Sequence, residues 1–391
     1  MRASRGVACF HFCILRKGAR RERRAMSPES DSYARLWSVE ASGNADVVEG
    51  PLRGYHHETY VFPLPGAVGA EQSVRWKCRE PYSDLLWFDR RCFASEEQLL
   101  TALSGRISGI PDIFQVSGTG LQRFIEGGTL GSLHKSTRKV PDDLFDQIIG
   151  LFGELTGVTP ETLPIDRMCK LEDRPPDGDT DGFLERLIQF AEQRVYVQNL
   201  ERFKFLFEAL GVDGDSFKSL RKHVSGLKER PFCLLHADLH RENFIVDSDR
   251  KLWTIDWELA MFGDPLYDLA THLYLMRYPL RQERRMTEQW CTTVEKIRPG
   301  SSNGVEVDLP RLLDYKRAQS VFTDVIREAL SLDAEPDHRR RLARAGAKLR
   351  RILADAAVPL GLDSVPSAGR IVSALEQWHH DHASDRSSGW Q

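Results

Sequence analysis

The chain has 391 residues, enough for two to three domains' worth of core at about 150 residues each, so a single small domain is excluded. Its hydrophobic and charged fractions, 41% and 28%, are those of an ordinary globular protein, and no apolar run reaches the roughly 18 residues of a membrane span. The net charge of −3 is uneven: residues 1–25 carry eight Lys or Arg against one Glu, leaving −10 on the rest, an acidic body that excludes a nucleic-acid partner and suits a cationic one.

Residues 1–30 read as a disordered basic extension. The arginine cluster follows the short apolar stretch 7–15, no small-residue cleavage site comes after it, and Met26 is a second candidate start. Seven scattered cysteines form neither a disulfide framework nor a Cys-x-x-Cys metal site, which points to a reducing cytoplasm.

From about 47 to 130 the pattern is strand-like. Tyr60-Val61-Phe62, Val74 to Cys78, Ile113 to Val116 and Leu121 to Phe124 are short apolar or alternating runs separated by Gly and Pro. One helix interrupts them over 94–103, with Glu96 and Glu97 after a capping serine. After Gly127-Gly128 the character turns helical: 141–156, a long amphipathic stretch over 183–210, then 309–331, 335–355 and 367–379. Residues 161–181, rich in Pro, Gly and Asp, read as a flexible insertion, and 231–257 as a strand-rich island. The fold class is therefore α+β and bilobal, with a strand-rich lobe over 31–127, a helical lobe over 128–383 and a tail over 384–391. Ligands favour the cleft between such lobes.

The island carries the chemistry. One apolar strand ends at His236-Ala237-Asp238 with Asn243 five residues beyond the Asp, and a second ends at Asp256-Trp257-Glu258. Phosphoryl transfer needs a carboxylate to orient a hydroxyl and accept its proton, and an amide oxygen plus a second carboxylate to hold hard divalent cations. This order of residues supplies them.

The segments His236 to Asn243, Ile255 to Glu258 and Phe262-Gly263-Asp264-Pro265-Leu266-Tyr267-Asp268 resemble those of the aminoglycoside phosphotransferase and choline kinase-like family. The likeness spans about 47–330 and is dense over 231–275. It implies a protein-kinase-like fold with ATP between the lobes, Asp238 as catalytic base, Asn243 and Asp256 on Mg2+, and His236 beside the base as a loop-bracing residue. Asp264 and Pro265 also read physically as a helix cap and first turn, with Asp268 bracing the catalytic loop.

Under the same resemblance, Gly54 to Thr59 is the phosphate-covering turn, and the phosphate-pairing cation lies on the strand from Val74 to Pro81. Arg79 is favoured over Lys77, with an acidic partner in Glu96 or Glu97. Arg123 to Gly128, Glu126 included, resembles the linker whose backbone meets an adenine edge. Glu258, Asp324 and Glu328 fall where the family places substrate contacts.

The reading is an ATP-dependent small-molecule O-phosphotransferase, cytoplasmic, without nucleic-acid or membrane partners, acting on an aminoglycoside-like or other cationic antibiotic. The alternatives are a metabolic alcohol such as choline, a sugar or an amino-acid hydroxyl as acceptor, and a non-catalytic nucleotide-binding pseudokinase. Loss of Asp238, Asn243 or Asp256 would mark the last, and all three are present. Asp-Phe-Gly and Ala-Pro-Glu segments are missing, which argues against a protein kinase.

Overall fold

The computed structural model describes residues 32–52, 57–64, 74–81, 91–116, 119–332 and 338–387; the basic extension and Gly54 lie outside them. Helix α1 (Tyr33–Ser42) starts at Ser32, whose side chain accepts the Arg35 N–H, and ends at Gly43 in the left-handed region at φ 70°. Sequence patterning gave no sign of it because its buried face is made of the small residues Ala34, Ser38 and Ser42, which carry no apolar periodicity.

Strands β1 (Glu49–Leu52), β2 (His57–Pro63), β3 (Arg75–Pro81), β4 (Ile113–Val116) and β5 (Thr119–Arg123) form one antiparallel sheet in the order β1-β2-β3-β5-β4. The two-residue period of β3 sends Trp76 and Cys78 into a small core with Ala34, Tyr60, Phe62 and Leu121. Arg75, Lys77 and Arg79 consequently share the other face. Between β3 and β4 lies α2 (Glu96–Leu103), capped by Ser95, whose Leu99, Leu100 and Leu103 join the main core.

The second lobe begins with β6 (Gly128–Thr129), α3 (Leu130–Leu133) and α4 (Asp142–Thr156). The single amphipathic stretch expected over 183–210 is broken: α5 (Thr180–Phe190) passes into a π-helical turn (Ala191–Tyr196) and a 3-10 turn (Val197–Asn199) before α6 (Leu200–Ala209). Resetting the helical phase lets Ala191, Val195 and Tyr196 and then Phe203, Leu206 and Phe207 all reach the core. The expected flexible insertion is anchored rather than loose. Arg174 donates to the carbonyls of Arg167 and Cys169, and the carboxylates of Asp177 and Asp181 accept the N–H groups of Phe232 and of Gly226 and Leu227.

Helix α7 (Gly214–Val224) leads to β7 (Cys233–Leu235), β8 (Phe244–Val246), β9 (Leu252–Thr254) and β10 (Met261–Gly263), which pair as β10-β7 and β6-β8-β9. These short strands carry the island segments. Behind them stand α8 (Pro265–Met276), α9 (Leu280–Ile297), α10 (Val305–Ser331), α11 (His338–Leu360) and α12 (Ala368–Ser387), with α10 packed between α8 and α11. Helix α12 runs past residue 383. Among the described residues, no helix is long and apolar enough to cross a membrane.

Candidate active site

The catalytic loop is fixed from behind. Asp264 caps α8 by accepting the Leu266 N–H at 2.9 Å, and the fully buried Arg230 grips the same carboxylate at 2.7 and 2.8 Å. One turn on, Asp268 accepts the N–H groups of Ala237 at 2.8 Å and His236 at 3.1 Å, which stabilises Ala237 at φ 65°. Burial pushes Asp268 up to about 6, with the two amide bonds pulling the other way.

His236 is held inside the loop. Its ring is fully buried against Trp257, centroids 4.7 Å apart, its Nε2–H donates to the Ile255 carbonyl at 3.1 Å, and burial lowers it to about 4.

Asp238 is partly buried at the edge of the loop. Asn243 donates its side-chain amide to the Asp238 carbonyl at 3.0 Å and to Oδ2 at 3.1 Å, and His240 Nε2 lies 3.3 Å from the same oxygen. Burial raises the carboxyl's pKa, but His240 above all, then His236 and Lys316, outweigh it and hold Asp238 below its ordinary value. It is therefore ionised at neutral pH. Sequence reading missed His240; its signal was a second titratable ring two residues from Asp238 within the same loop.

Asp256 follows β9, tied to the first segment by the Ile255 N–H to Asn243 carbonyl bond of 3.0 Å, and adopts φ 66°. Burial, then the charges of Glu96, Glu258 and Asp238, push it up to about 7. Such crowding of negative charge is what a bound cation relieves. Asn243 gives its amide hydrogens to Asp238, so its carbonyl oxygen stays available, and the donor set is the hard oxygen pair that magnesium prefers. Among the described residues no group of three or more His, Cys, Asp or Glu could hold a metal ion unaided. Magnesium sites that count on phosphate oxygens for the remaining positions have this form.

Across the cleft, Arg79 meets both expected acidic partners, Glu96 and, at 3.2 Å, Glu97, and also Glu258 at 3.2 Å. Burial alone would lower Arg79; the three carboxylates reverse this and raise it. The ammonium of Lys77, two residues away, has no hydrogen-bond partner among the described residues, and burial, with Arg79 beside it, lowers it to about 8. Thr59 lies opposite Arg79 in the β2–β3 register. Glu126 turns its carboxylate out to Arg75 at 2.7 Å, while the backbone of Ile125 and Glu126 has no partner among the described residues.

The three acidic residues assigned to the acceptor are placed otherwise. Glu258 faces the strand-rich lobe, bonded to His57 and Arg79 at 3.2 Å and to Arg91. Asp324 and Glu328 both bind Lys348 of α11, at 2.9 and 2.6 Å. Each therefore also joins parts of the protein, and Asp324 and Glu328 share the one ammonium of Lys348. A cavity of about 180 Å3 behind β10, bordered by Arg167, Phe183, Phe232 and Phe262, includes none of Asp238, Asn243 and Asp256.

A sequence model of the Phosphotransferase enzyme family matches residues 94–299, just over half of the chain, including the segments that carry Asp238, Asn243, Asp256 and Asp268. The chain belongs to the phosphotransferase enzyme family. Membership makes it a phosphotransferase with an alcohol group as acceptor. Among solved structures it is similar to a provisionally assigned aminoglycoside phosphotransferase from Ralstonia eutropha, at 12% identity and a TM-score of 0.50 over 88% of this chain and 97% of that one. A macrolide 2′-phosphotransferase from Brachybacterium faecium aligns at 14% identity and 0.49 over 82% and 94%. A choline/ethanolamine kinase family protein from Mesorhizobium loti aligns at 15% and 0.45 over 88% and 98%. The first of these likenesses shows the phosphotransferase fold, bilobal and kinase-like, in this chain.

Proposed function

We propose that the protein transfers the γ-phosphoryl group of ATP to a hydroxyl of a small molecule, with Asp238 as the base. The observation that carries this reading is the position of Asp238: ionised, half-open to the cleft, fixed by Asn243, and mounted on a loop whose backbone Asp268 restrains. The acceptor oxygen forms the new bond to phosphorus as the bond from γ-phosphorus to the β–γ bridging oxygen breaks; the hydroxyl proton passes to Asp238, and the nucleoside diphosphate departs with the electron pair.

Nucleotide lies between a strand-rich lobe ending near residue 127 and a helical lobe from 128. The backbone of Ile125 and Glu126, without a partner among the described residues, supports adenine binding there, Thr59 opposite Arg79 lies beside the phosphates, and Arg79, with Lys77 beside it, supplies positive charge. Asn243 and Asp256 would hold Mg2+, which when bound neutralises phosphate charge. Neighbouring solved proteins are named for complexes of ADP or AMP-PNP with hygromycin B, which agrees with nucleotide and a small hydroxyl-bearing acceptor sharing this cleft. The expected site is the cytoplasm.

The test is magnesium-dependent ATP consumption across defined alcohols, with mass spectrometry locating the new phosphate. Asp238→Asn should lower turnover by about 100-fold or more with nucleotide affinity nearly unchanged. Unchanged turnover would remove Asp238 from its role.

A further inference from the structure

The two carboxylate oxygens of Asp238 are in different surroundings. Oδ2 has two nitrogens against it: Nδ2 of Asn243 donates to it at 3.1 Å, and Nε2 of His240 lies 3.3 Å away. Oδ1 has no hydrogen-bond partner among the described residues and is not sealed from solvent. One oxygen is therefore held by the loop and the other is open.

The His240 ring is fixed through its second nitrogen. Nδ1 accepts the backbone N–H of Glu242 at 3.1 Å. A ring nitrogen that accepts carries no hydrogen, so the neutral imidazole bears its proton on Nε2, the nitrogen nearest Oδ2. A cationic ring carries a hydrogen there too, so the supply of a donor to Oδ2 does not depend on the charge of the ring. Glu242 is held in turn: its carboxylate accepts the Thr129 hydroxyl at 2.8 Å, and the Arg241 carbonyl just before it accepts the Gly131 N–H at 3.0 Å. The His240 carbonyl accepts the Asn243 N–H at 3.0 Å, which closes the turn that brings both nitrogens to one oxygen. The first residues of the helical lobe thus reach Asp238 through Glu242 and His240.

A carboxylate exchanges its two oxygens by a half-turn about Cβ–Cγ, a soft twofold torsion. With one donor on Oδ2 that turn breaks one charge-assisted bond, and with two it breaks both. Catalytic hydrogen bonds are commonly long before the reactants are bound and tighten once they are, and the 3.3 Å contact has that form.

Resting on the phosphotransferase reading, we propose that His240 is a positioning residue: together with Asn243 it occupies Oδ2 of Asp238 and so reserves Oδ1 as the oxygen that takes the acceptor's proton. As the hydroxyl oxygen bonds to phosphorus, its proton passes to Oδ1, and Oδ2, already facing two donors, does not compete for it. His240 neither gives nor takes a proton in this step.

The experiment uses the full chain with Mg2+ and ATP, with water as acceptor and with each alcohol that the consumption screen identifies. His240→Gln keeps an N–H at about the reach of Nε2, whereas His240→Met fills a similar volume without a donor. His240→Met should lower kcat by about 10- to 100-fold while the nucleotide KM stays within about twofold, and His240→Gln should recover most of the loss. Thermal melts of both variants separate these effects from unfolding. In the unaltered chain, 15N NMR of the histidine rings, with the His240 signal identified by its loss in His240→Gln, should show the Nε2–H tautomer. Equal kcat in His240→Met and His240→Gln, a nucleotide KM that rises as far as kcat falls, or an Nδ1–H tautomer overturns the proposal and leaves Asp238 as the base. Absence of Asp238-dependent ATP consumption with every acceptor fails the phosphotransferase reading itself and the proposal with it.

Discussion

One oxygen of Glu96 accepts the backbone N–H of Trp257 at 2.8 Å while the other takes the Arg79 guanidinium, so a single buried carboxylate ties β3 to the turn that carries Asp256. Burial alone would raise this carboxyl; Arg79 and Lys77 reverse that and keep it ionised. Glu96→Gln keeps an acceptor for Trp257 but removes the anion opposite Arg79, and should lower turnover by about 10- to 100-fold with little change in melting. Glu96→Ala also strands the buried N–H, adding about 1–3 kcal/mol of destabilisation. Steady-state kinetics with thermal melts check both, and full turnover in Glu96→Ala would show that the clamp is dispensable.

Arg79 and Lys77 share one face of β3, but only Arg79 is held by carboxylates from α2 and from the Asp256 turn. Under the proposed function its removal would cost a phosphate ligand and would leave Glu96 and Glu258 crowding Asp256. Arg79→Ala should therefore raise the nucleotide KM and lower turnover together, and Arg79→Lys, without the planar fork, should still cost activity. Lys77→Ala should have the smaller effect. A larger loss in Lys77→Ala would show that the ammonium, which has no partner among the described residues, is the phosphate ligand.

The strand pattern, the α2 cap and the island from His236 to Glu258 were legible because they depend on local periodicity and spacing. Asp264 and Asp268 were legible too: a capping Asp before Pro265 and a second carboxylate one turn on can be placed by helix geometry alone. Helix α1 was not, since a face of Ala and Ser gives no hydrophobic signal. The anchoring of 161–181 was hidden because it depends on Arg174, Asp177 and Asp181 finding backbone groups distant in sequence. The partners of the acidic side chains were hidden for the same reason. Glu258, Asp324 and Glu328 look like free acids along the chain, and only the packing of α11 and the strand-rich lobe brings Lys348, Arg79 and Arg91 to them.

Arg230 joins α8 to α10 in the interior. Its fully buried guanidinium bonds both oxygens of Asp264 and, at 2.7 Å, Asp308, and donates to the Asn303 carbonyl at 2.6 Å. Arg230→Ala would leave two buried carboxylates uncompensated, for a loss of about 3–5 kcal/mol. Because Asp264 caps the helix that carries Asp268, the loop around Asp238 should loosen as well. Denaturant titration reads the first effect and hydrogen exchange at Ala237 the second; a loss under about 1 kcal/mol would mean that water or a shifted side chain replaces the guanidinium.

His272 sets a pH dependence of stability with a definite sign. The ring is buried on α8, its Nδ1–H donates to the Leu239 carbonyl at 2.9 Å, its Nε2 accepts the Tyr278 hydroxyl at 3.0 Å, and the edge of Phe152 closes one side. Burial lowers it from 6.5 to about 3, since a second ring proton would have no partner and would displace the Tyr278 bond. Below pH 6.5 the unfolded chain binds a proton here that the folded chain refuses, so the stability present above that pH is lost as pH falls toward about 3. Each pH unit in that window removes up to about 1.4 kcal/mol, or about 2 kcal/mol between pH 6.5 and 5. His236, lowered to about 4, acts in the same direction. Urea unfolding at about pH 7, 6 and 5 should show this decline, and His272→Gln, which cannot titrate, should flatten it by one proton's worth. Identical slopes for the two proteins would mean that the His272 ring takes up its proton in the folded state as readily as in the unfolded one.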